Sequence, residues 1–152
     1  MKTLFLILLF FISYSINSQI LLNDCAYKAK TVTVFNGSEN EYGEFVQIGD
    51  EDSYKVDVLF FISDKKIVAS GLKEQLREFT LQDEFTQIKS YLPNIGYACN
   101  ALDKDGIVTR ISIMKEDIYG IYVIRIDYRN IRIIFLCNES DERPWDPYWS
   151  IK

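Results

Sequence analysis

The residue types that carry most enzyme chemistry are unevenly represented in this chain of 152 residues. The chain contains 22 acidic residues and three cysteines but no histidine. Without histidine, it cannot form a Ser-His-Asp triad, a Cys-His pair or a His-ligated zinc site by itself. Two facing carboxylates could still hydrolyse a glycosidic bond, but no spacing marks any two acidic residues as a pair. The sequence therefore predicts no catalytic residue and no cofactor, and a histidine-free carboxylate hydrolase is the least favoured alternative.

Two acidic segments could in principle bind a cation. Asp103-Lys104-Asp105-Gly106 resembles the opening of a calcium-binding loop. The bidentate glutamate that such a loop requires would fall at Met114, so the segment predicts a hairpin turn instead. The run Asp50-Glu51-Asp52 is typical of a solvated turn. The sequence therefore predicts no metal site.

The three cysteines are Cys25, Cys99 and Cys137. In an oxidising compartment, two of them are expected to form a disulfide and the third to remain unpaired. All three pairings are open, and the alternative is three buried thiols that behave as small apolar residues. If Cys99 and Cys137 lie on the outer strands of a flat four-strand sheet, they are roughly 14 Å apart. Because a disulfide needs Cα atoms within about 7 Å, that pair would require the sheet to close, and otherwise Cys25 is one partner.

The amino-terminal residues have the pattern of a secretory signal peptide. Lys2 precedes an apolar run from Leu4 to Ile12, and small or polar residues follow as far as Ser18. The run is about half the length needed to span a bilayer, so no membrane span is expected after cleavage. We predict a signal peptide at residues 1–18, a single domain at 19–140 and a tail at 141–152. The protein is then exported, periplasmic or secreted, and the Lys, Ile, Asn, Phe and Tyr bias favours a bacterial origin.

The charge and the tail bear on the partners. The net charge is −5, with no basic cluster, so a phosphate backbone would be repelled and nucleic-acid binding is not expected. Both tryptophans of the chain lie in the proline-containing tail. Trp145, Tyr148 and Trp149 could form a docking peptide or a stacking platform, although aromatic rings more often cap a core. The partner is expected to be an unknown protein or a small apolar ligand.

The first half of the predicted domain contains several strand patterns. Residues 31–35 form a β-branched run that ends at the turn residues Asn36-Gly37-Ser38, and residues 45–48 form a short apolar run before a turn at 49–53. Residues 54–62 alternate between apolar and polar side chains, which is typical of a half-buried strand. In the segment 71–92, apolar residues recur at helical spacing, and Pro93 follows. We predict a short helical insertion there.

Residues 96–138 predict a four-strand meander. The turn at Asp103–Gly106 joins the first two strands, and Arg129-Asn130 is a two-residue connection between the last two. If Tyr128 pairs with Ile131, the apolar side chains of both strands share one face, and Asp127 lies opposite Arg132. This register can be checked directly against the structure.

These patterns predict a mainly β fold. Its antiparallel meander forms a curled sheet or a partly closed barrel, with a short helical insertion, and the alternative is an α+β arrangement. The function that this fold and the missing catalytic groups favour is a small, exported, non-catalytic binding or interaction protein. The alternative is a barrel-type carrier of a small apolar ligand.

Overall fold

The computed structural model describes residues 24–72, 75–89, 95–116 and 120–142. Within these ranges every regular element is a β-strand, and none is a helix. The strands are β1 (Cys25–Glu39), β2 (Phe45–Ile62), β3 (Lys66–Leu72), β4 (Gln75–Leu81), β5 (Thr86–Lys89), β6 (Ile95–Leu102), β7 (Val108–Glu116), β8 (Ile121–Asp127) and β9 (Ile131–Ser140). The mainly β class is therefore confirmed.

The strands form one antiparallel sheet in the order β4-β3-β2-β1-β9-β8-β7-β6-β5. A further pairing between β4 and β6 closes a ring of hydrogen bonds. This closure involves only the pairs Thr80–Leu102 and Leu81–Ala101, and the sheet is not a regular barrel. The prediction of a curled sheet or partly closed barrel is confirmed.

The predicted register of the last hairpin is confirmed residue by residue. The Tyr128 amide donates a hydrogen bond of 2.8 Å to the Ile131 carbonyl, and Asp127 pairs with Arg132. The remaining pairs are Tyr122–Cys137, Val123–Leu136, Ile124–Phe135, Arg125–Ile134 and Ile126–Ile133. A two-residue connection sets the register because the turn must match the twist of both strands.

The predicted turn between β6 and β7 is also confirmed. The Asp103 carboxylate accepts hydrogen bonds from the amides of Asp105 and Ile107, at 2.9 and 2.8 Å. Gly106 has a φ of 76°, the left-handed conformation that favours glycine. β6 to β9 form the four-strand meander expected from the sequence.

Two predicted turns in the first half of the domain are wrong. The residues Asn36–Ser38 lie inside β1, and residues 49–53 lie inside β2. Both segments lie at an irregularity in the β1–β2 register, which falls between Phe35 and Gly37 on β1. Gly49, on the facing part of β2, has a φ of 86°. The residues that favour turns also favour bulges, because both need unusual backbone angles. The chain reverses instead at residues 40–44.

The predicted helix is wrong for the described part of the segment 71–92. Residues 75–81 and 86–89 form β4 and β5, whereas residues 73–74 and 90–92 lie outside the described ranges. Phe79 pairs with Ile67 on β3 and is buried in the core. The helical spacing is overridden because β4 pairs with β3 on one edge and with β6 on the other.

The core lies on the concave face of the sheet. Phe60 on β2 and Phe135 on β9 meet edge to face, with ring centroids 4.8 Å apart. The other members come from eight strands and are mainly branched or aromatic: Tyr27, Ala29, Val32, Val58, Ile62, Ile67, Ala69, Phe79, Cys99, Ala101, Ile111, Ile113, Ile124, Ile126 and Cys137. Phe61, the next residue along β2 after Phe60, points to the opposite face and is also buried.

The Phe60–Phe135 contact gives a direct test of the core. Phe60→Ala should lower the free energy of unfolding by about 3–5 kcal/mol, because a fully buried ring is replaced by a cavity. Urea unfolding followed by circular dichroism measures the change. Leu136→Ala, at a side chain 43% exposed on β9, is the matched control and should cost under about 0.5 kcal/mol. Equal effects of the two changes would contradict this core.

Candidate functional site

Several residues singled out from the sequence lie outside the described ranges. These are the predicted signal peptide at residues 1–18 and the aromatic residues of the tail, Trp145, Tyr148 and Trp149. Within the described ranges, no group of three or more Asp, Glu or Cys side chains is arranged to hold a metal ion. No helix with the length and hydropathy needed to cross a membrane occurs there either.

The predicted disulfide is not present in the structure. Within the described ranges, Cys25, Cys99 and Cys137 form no disulfide with one another. Cys99 on β6 and Cys137 on β9 are separated by β7 and β8, a distance of roughly 14 Å along the sheet. β1 is adjacent to β9, but Cys137 pairs with Ala29, which lies four residues along the strand from Cys25. That offset is about 13 Å, and a disulfide needs about 7 Å or less.

The buried thiols are chemically quiet. Burial raises the pKa of Cys99 to about 12, and burial raises the pKa of Cys137 to about 12. The thiolate is the nucleophilic form, so both side chains are nearly unreactive at neutral pH. They serve as small apolar members of the core.

The most distinctive surface is the hairpin formed by the end of β1 and the beginning of β2. We call residues 36–56 the acidic arm. β9 pairs with β1 only as far as Asn36, and β3 pairs with β2 only from Leu59 onwards. The arm therefore extends beyond the strands that flank it, and the edge of β2 before Leu59 is paired with no other strand in the described part of the chain.

A compact network defines the tip of the arm. The side-chain carbonyl of Asn40 accepts hydrogen bonds from the amides of Tyr42 and Glu44, at 2.9 and 2.8 Å. The Asn40 amide donates to the Glu44 carbonyl at 2.9 Å, and Gly43 has a φ of 76°. Asparagine favours such turns because its short side chain reaches the backbone two residues further on. The tip is therefore a defined turn that joins two long strands.

The base of the arm is attached to the β8–β9 hairpin. The Gly37 amide donates a hydrogen bond of 3.0 Å to the Asn130 carbonyl. The Phe45 ring lies under the Arg132 guanidinium, whose central carbon is 4.5 Å from the ring centroid. A Cβ at position 37 would overlap the Phe45 ring and the Val46 carbonyl, so the ring occupies the space left by glycine. These contacts orient the arm relative to the sheet.

Arg132 is itself held by Asp127, as the cross-strand pairing predicted. Its Nε and Nη2 atoms donate to the two carboxylate oxygens of Asp127, at 2.7 and 3.3 Å. Arg125 lies on the other side of the same carboxylate, with Nε 3.1 Å from Oδ2. Burial lowers the pKa of Arg125, and the Asp127 charge acts in the opposite direction. Asp127, 16% exposed, thus fixes the guanidinium on which Phe45 rests.

The arm carries an unusual charge. Six carboxylates lie on it against the single lysine Lys55, a net charge of −5. This equals the net charge of the whole chain, so the other residues together carry equal numbers of positive and negative side chains. The carboxylates belong to Glu39, Glu41, Glu44, Asp50, Glu51 and Asp52, and all six residues are exposed.

Exposed apolar side chains lie among these charges. Tyr42 at the tip is 79% exposed, and on β2 the exposed fractions are 46% for Val46, 60% for Ile48 and 54% for Tyr54. Aromatic residues are enriched in protein–protein interfaces relative to the rest of the surface. The arm therefore presents negative charge and exposed apolar side chains together.

Sequence reasoning did not find this site. The sequence predicts a solvated turn at Asp50-Glu51-Asp52, and no local pattern joins that run to the carboxylates at 39–44. The signal that could have located the hairpin is the Asn40-Glu41-Tyr42-Gly43 segment, which has asparagine and glycine at the positions that the observed turn uses.

The packing of Phe45 over Gly37 provides a test of the arm's attachment. Gly37→Ala should loosen the arm, because the added methyl group displaces the Phe45 ring and costs about 1–3 kcal/mol locally. Amide hydrogen exchange should speed up at residues 36–56 and stay unchanged in β6 and β7. Ser38→Ala, at the exposed neighbouring residue, is the control and should leave exchange unaltered. Uniform acceleration over the whole sheet would contradict a local anchor.

The thiols provide a second test. At pH 8, only the half-buried Cys25 should react readily with an aromatic disulfide reagent, because burial keeps Cys99 and Cys137 protonated. Because the pKa of both buried thiols is raised, protonated Cys99 and Cys137 favour the folded protein. This contribution to the free energy of unfolding falls as the pH rises from about 9 towards 12. Unfolding in urea should release both of them to the reagent. Rapid reaction of all three thiols in the native protein would contradict the burial.

No protein-family model matches the chain, and neither a curated protein nor a solved structure matches it. The functional assignment consequently depends on the geometry and the charge of the acidic arm.

Proposed function

We propose that this chain is an exported, non-catalytic interaction protein that binds a positively charged protein partner through the acidic arm. The observation that carries the proposal is the location of the charge. The arm holds a net charge of −5, the same as the entire chain. Export is supported by the signal-peptide pattern of residues 1–18, and a non-catalytic role by the missing histidine.

Electrostatic attraction is well suited to selecting a partner. A surface of one sign accelerates association with an oppositely charged surface and repels partners of like charge. Glu39, Glu41 and Glu44 lie in or beside the turn at 40–44, and Asp50, Glu51 and Asp52 lie further along β2, so the arm is negative at the turn and again along β2. A partner with clustered lysine or arginine side chains matches this charge.

The apolar residues supply contact area that charge alone does not. Burying a side chain such as Ile48 or Tyr54 against a partner removes apolar surface from water, at about 25 cal/mol per Å². The arm is also well oriented before binding, because Gly37 and Phe45 attach its base to the β8–β9 hairpin. A preformed surface loses less conformational entropy when it binds.

The two alternatives that the sequence leaves open have less support. A carrier needs an internal space, whereas the concave face of the sheet is occupied by packed rings and branched side chains. A cavity beside Phe79 and Tyr128 has a volume of about 10 Å³. That is no more than about one water molecule needs. A carboxylate hydrolase would need two facing acidic residues in a cleft.

Neutralising part of the arm tests the proposal. The probe is a short lysine-rich peptide, and binding is measured by fluorescence anisotropy with the mature protein. The triple change Asp50→Asn, Glu51→Gln and Asp52→Asn should weaken binding about tenfold, since each lost charge pair near a surface is worth a few tenths of a kcal/mol or more. Binding by the unmodified protein should also weaken as salt rises above about 0.1 M.

A matched triple change controls for net charge. Asp64→Asn, Glu84→Gln and Asp105→Asn remove three exposed carboxylates that lie outside the arm. If the arm is the binding surface, this variant should bind the peptide nearly as well as the unmodified protein. Equal losses from both triples would mean that only overall charge matters, and no binding in any variant would reject the proposal.

A further inference from the structure

We infer that the partner binds as an extended strand added to the free edge of β2, with lysine or arginine side chains facing the carboxylates of the arm. This inference rests on the proposed function and specifies the form of its partner. Its geometric basis is the direction in which the backbone groups of β2 point.

The hydrogen bond from the Tyr128 amide to the Ile131 carbonyl sets the alternation of the sheet. Residues of an antiparallel strand point their backbone groups alternately to one neighbour and to the other. Because Ile131 is hydrogen-bonded to β8, the backbone of the next residue, Arg132, faces β1, where it pairs with Phe35. The Gly37 amide, two residues beyond Phe35, indeed donates to β9.

The same alternation continues into β2. Since the backbone of Phe35 faces β9, that of Val34 faces β2, where it pairs with Asp52. The backbone groups of Asp52 therefore face β1, and those of Glu51 and Ser53 face away from it. The register is regular from the Val34–Asp52 pair to the Thr31–Lys55 pair, so the backbone groups of Lys55 also face away from β1. The Thr33 and Ser53 hydroxyls, 2.9 Å apart, agree with a pair that is not joined through its backbone.

Three successive outward positions, 51, 53 and 55, thus have backbone donors and acceptors directed at the open edge. No described strand pairs with them, because β3 begins to pair at Leu59. A peptide that adds a strand to such an edge obtains affinity from main-chain hydrogen bonds and specificity from alternate side chains. Irregularities in the β1–β2 register bound this regular stretch on both sides.

The charges decide which strand can occupy the edge. The arm of a second copy would carry the same net charge of −5, and two surfaces of like charge repel each other. A strand with basic side chains has the opposite effect. Glu51 lies on the face with Ser53, and Asp52 lies on the face with Tyr54, so basic residues on either face of the added strand find a carboxylate.

Backbone exchange in the unmodified protein tests the geometry without any substitution. The probe is a peptide of about nine residues that alternates lysine with valine or threonine, long enough to span the regular stretch. Adding it should slow amide hydrogen exchange at Glu51, Ser53 and Lys55 at least about tenfold, because these amides gain a partner. Exchange at Asp52 and Tyr54 should change little, since their amides are already bonded to β1.

A pair of substitutions tests the same point by affinity. Ser53→Pro and Ser53→Ala both remove the hydroxyl that contacts Thr33, but only the proline removes the outward amide. Neither changes the charge. Ser53→Pro should bind the peptide about tenfold more weakly than Ser53→Ala, and circular dichroism should show the same strand content in both.

The outcomes separate this inference from the proposed function. If the peptide binds, and depends on the arm carboxylates, but protects neither set of amides and binds both Ser53 variants equally, the added-strand inference is overturned and the interaction role stands. If no lysine-rich peptide binds, the proposed function itself fails. Protection of residues 51, 53 and 55 that appears without peptide and grows with protein concentration would identify a second copy of the chain as the occupant and overturn the inference.

Discussion

The register of the β8–β9 hairpin is the constraint on which the rest of the sheet depends. Its two-residue connection places Tyr128 opposite Ile131, and a shift by one residue would turn Ile124, Ile126 and Phe135 into water. Through the β9–β1 and β1–β2 ladders, this register determines which backbone groups of β2 face outward. It also places the Asn130 carbonyl where it accepts a hydrogen bond from the Gly37 amide. The register of this one hairpin therefore determines which side chains enter the core, where the arm is attached and which backbone groups of β2 face outward.

The charge distribution is consistent with that architecture. A sheet that closes by hydrogen bonds has few exposed edges, and here the two residue pairs between β4 and β6 cover part of the edges of those strands. β2 is longer than β3, so an exposed edge remains beside the arm. Natural proteins protect such edges with charge, and this edge carries Asp50, Glu51 and Asp52. The same carboxylates that discourage self-association make the edge suitable for a basic strand.

The parts of the fold that the sequence predicted are local. The last hairpin and the Asp103–Gly106 turn each depend on a few neighbouring residues and on the alternation of two short strands. The helix predicted near Phe79 is wrong because pairing with β3 on one edge and with β6 on the other overrides the local spacing of apolar residues. The turn predicted at Asn36–Ser38 failed because the same residues form an irregular strand segment.

The candidate site could not be predicted for a related reason. Acidic residues around a turn are usually only solvated, and nothing in the segment 39–52 itself shows that β3 leaves the edge of β2 unpaired. The strand register likewise prevents the expected disulfide between Cys25 and Cys137, because Cys137 pairs with Ala29 and not with Cys25. Both features depend on contacts between residues far apart in the chain.

The filled core and the open edge together favour recognition at the surface over storage inside. Rings such as Phe60 and Phe135 occupy the concave face, so the interior stabilises the sheet. Phe45 is the link between the two regions, since it lies in the arm but packs on Arg132, which Asp127 fixes to the sheet. Because of that link, the proposed binding edge of β2 is oriented before a partner arrives, and under this proposal the partner's own strand is the element that becomes ordered.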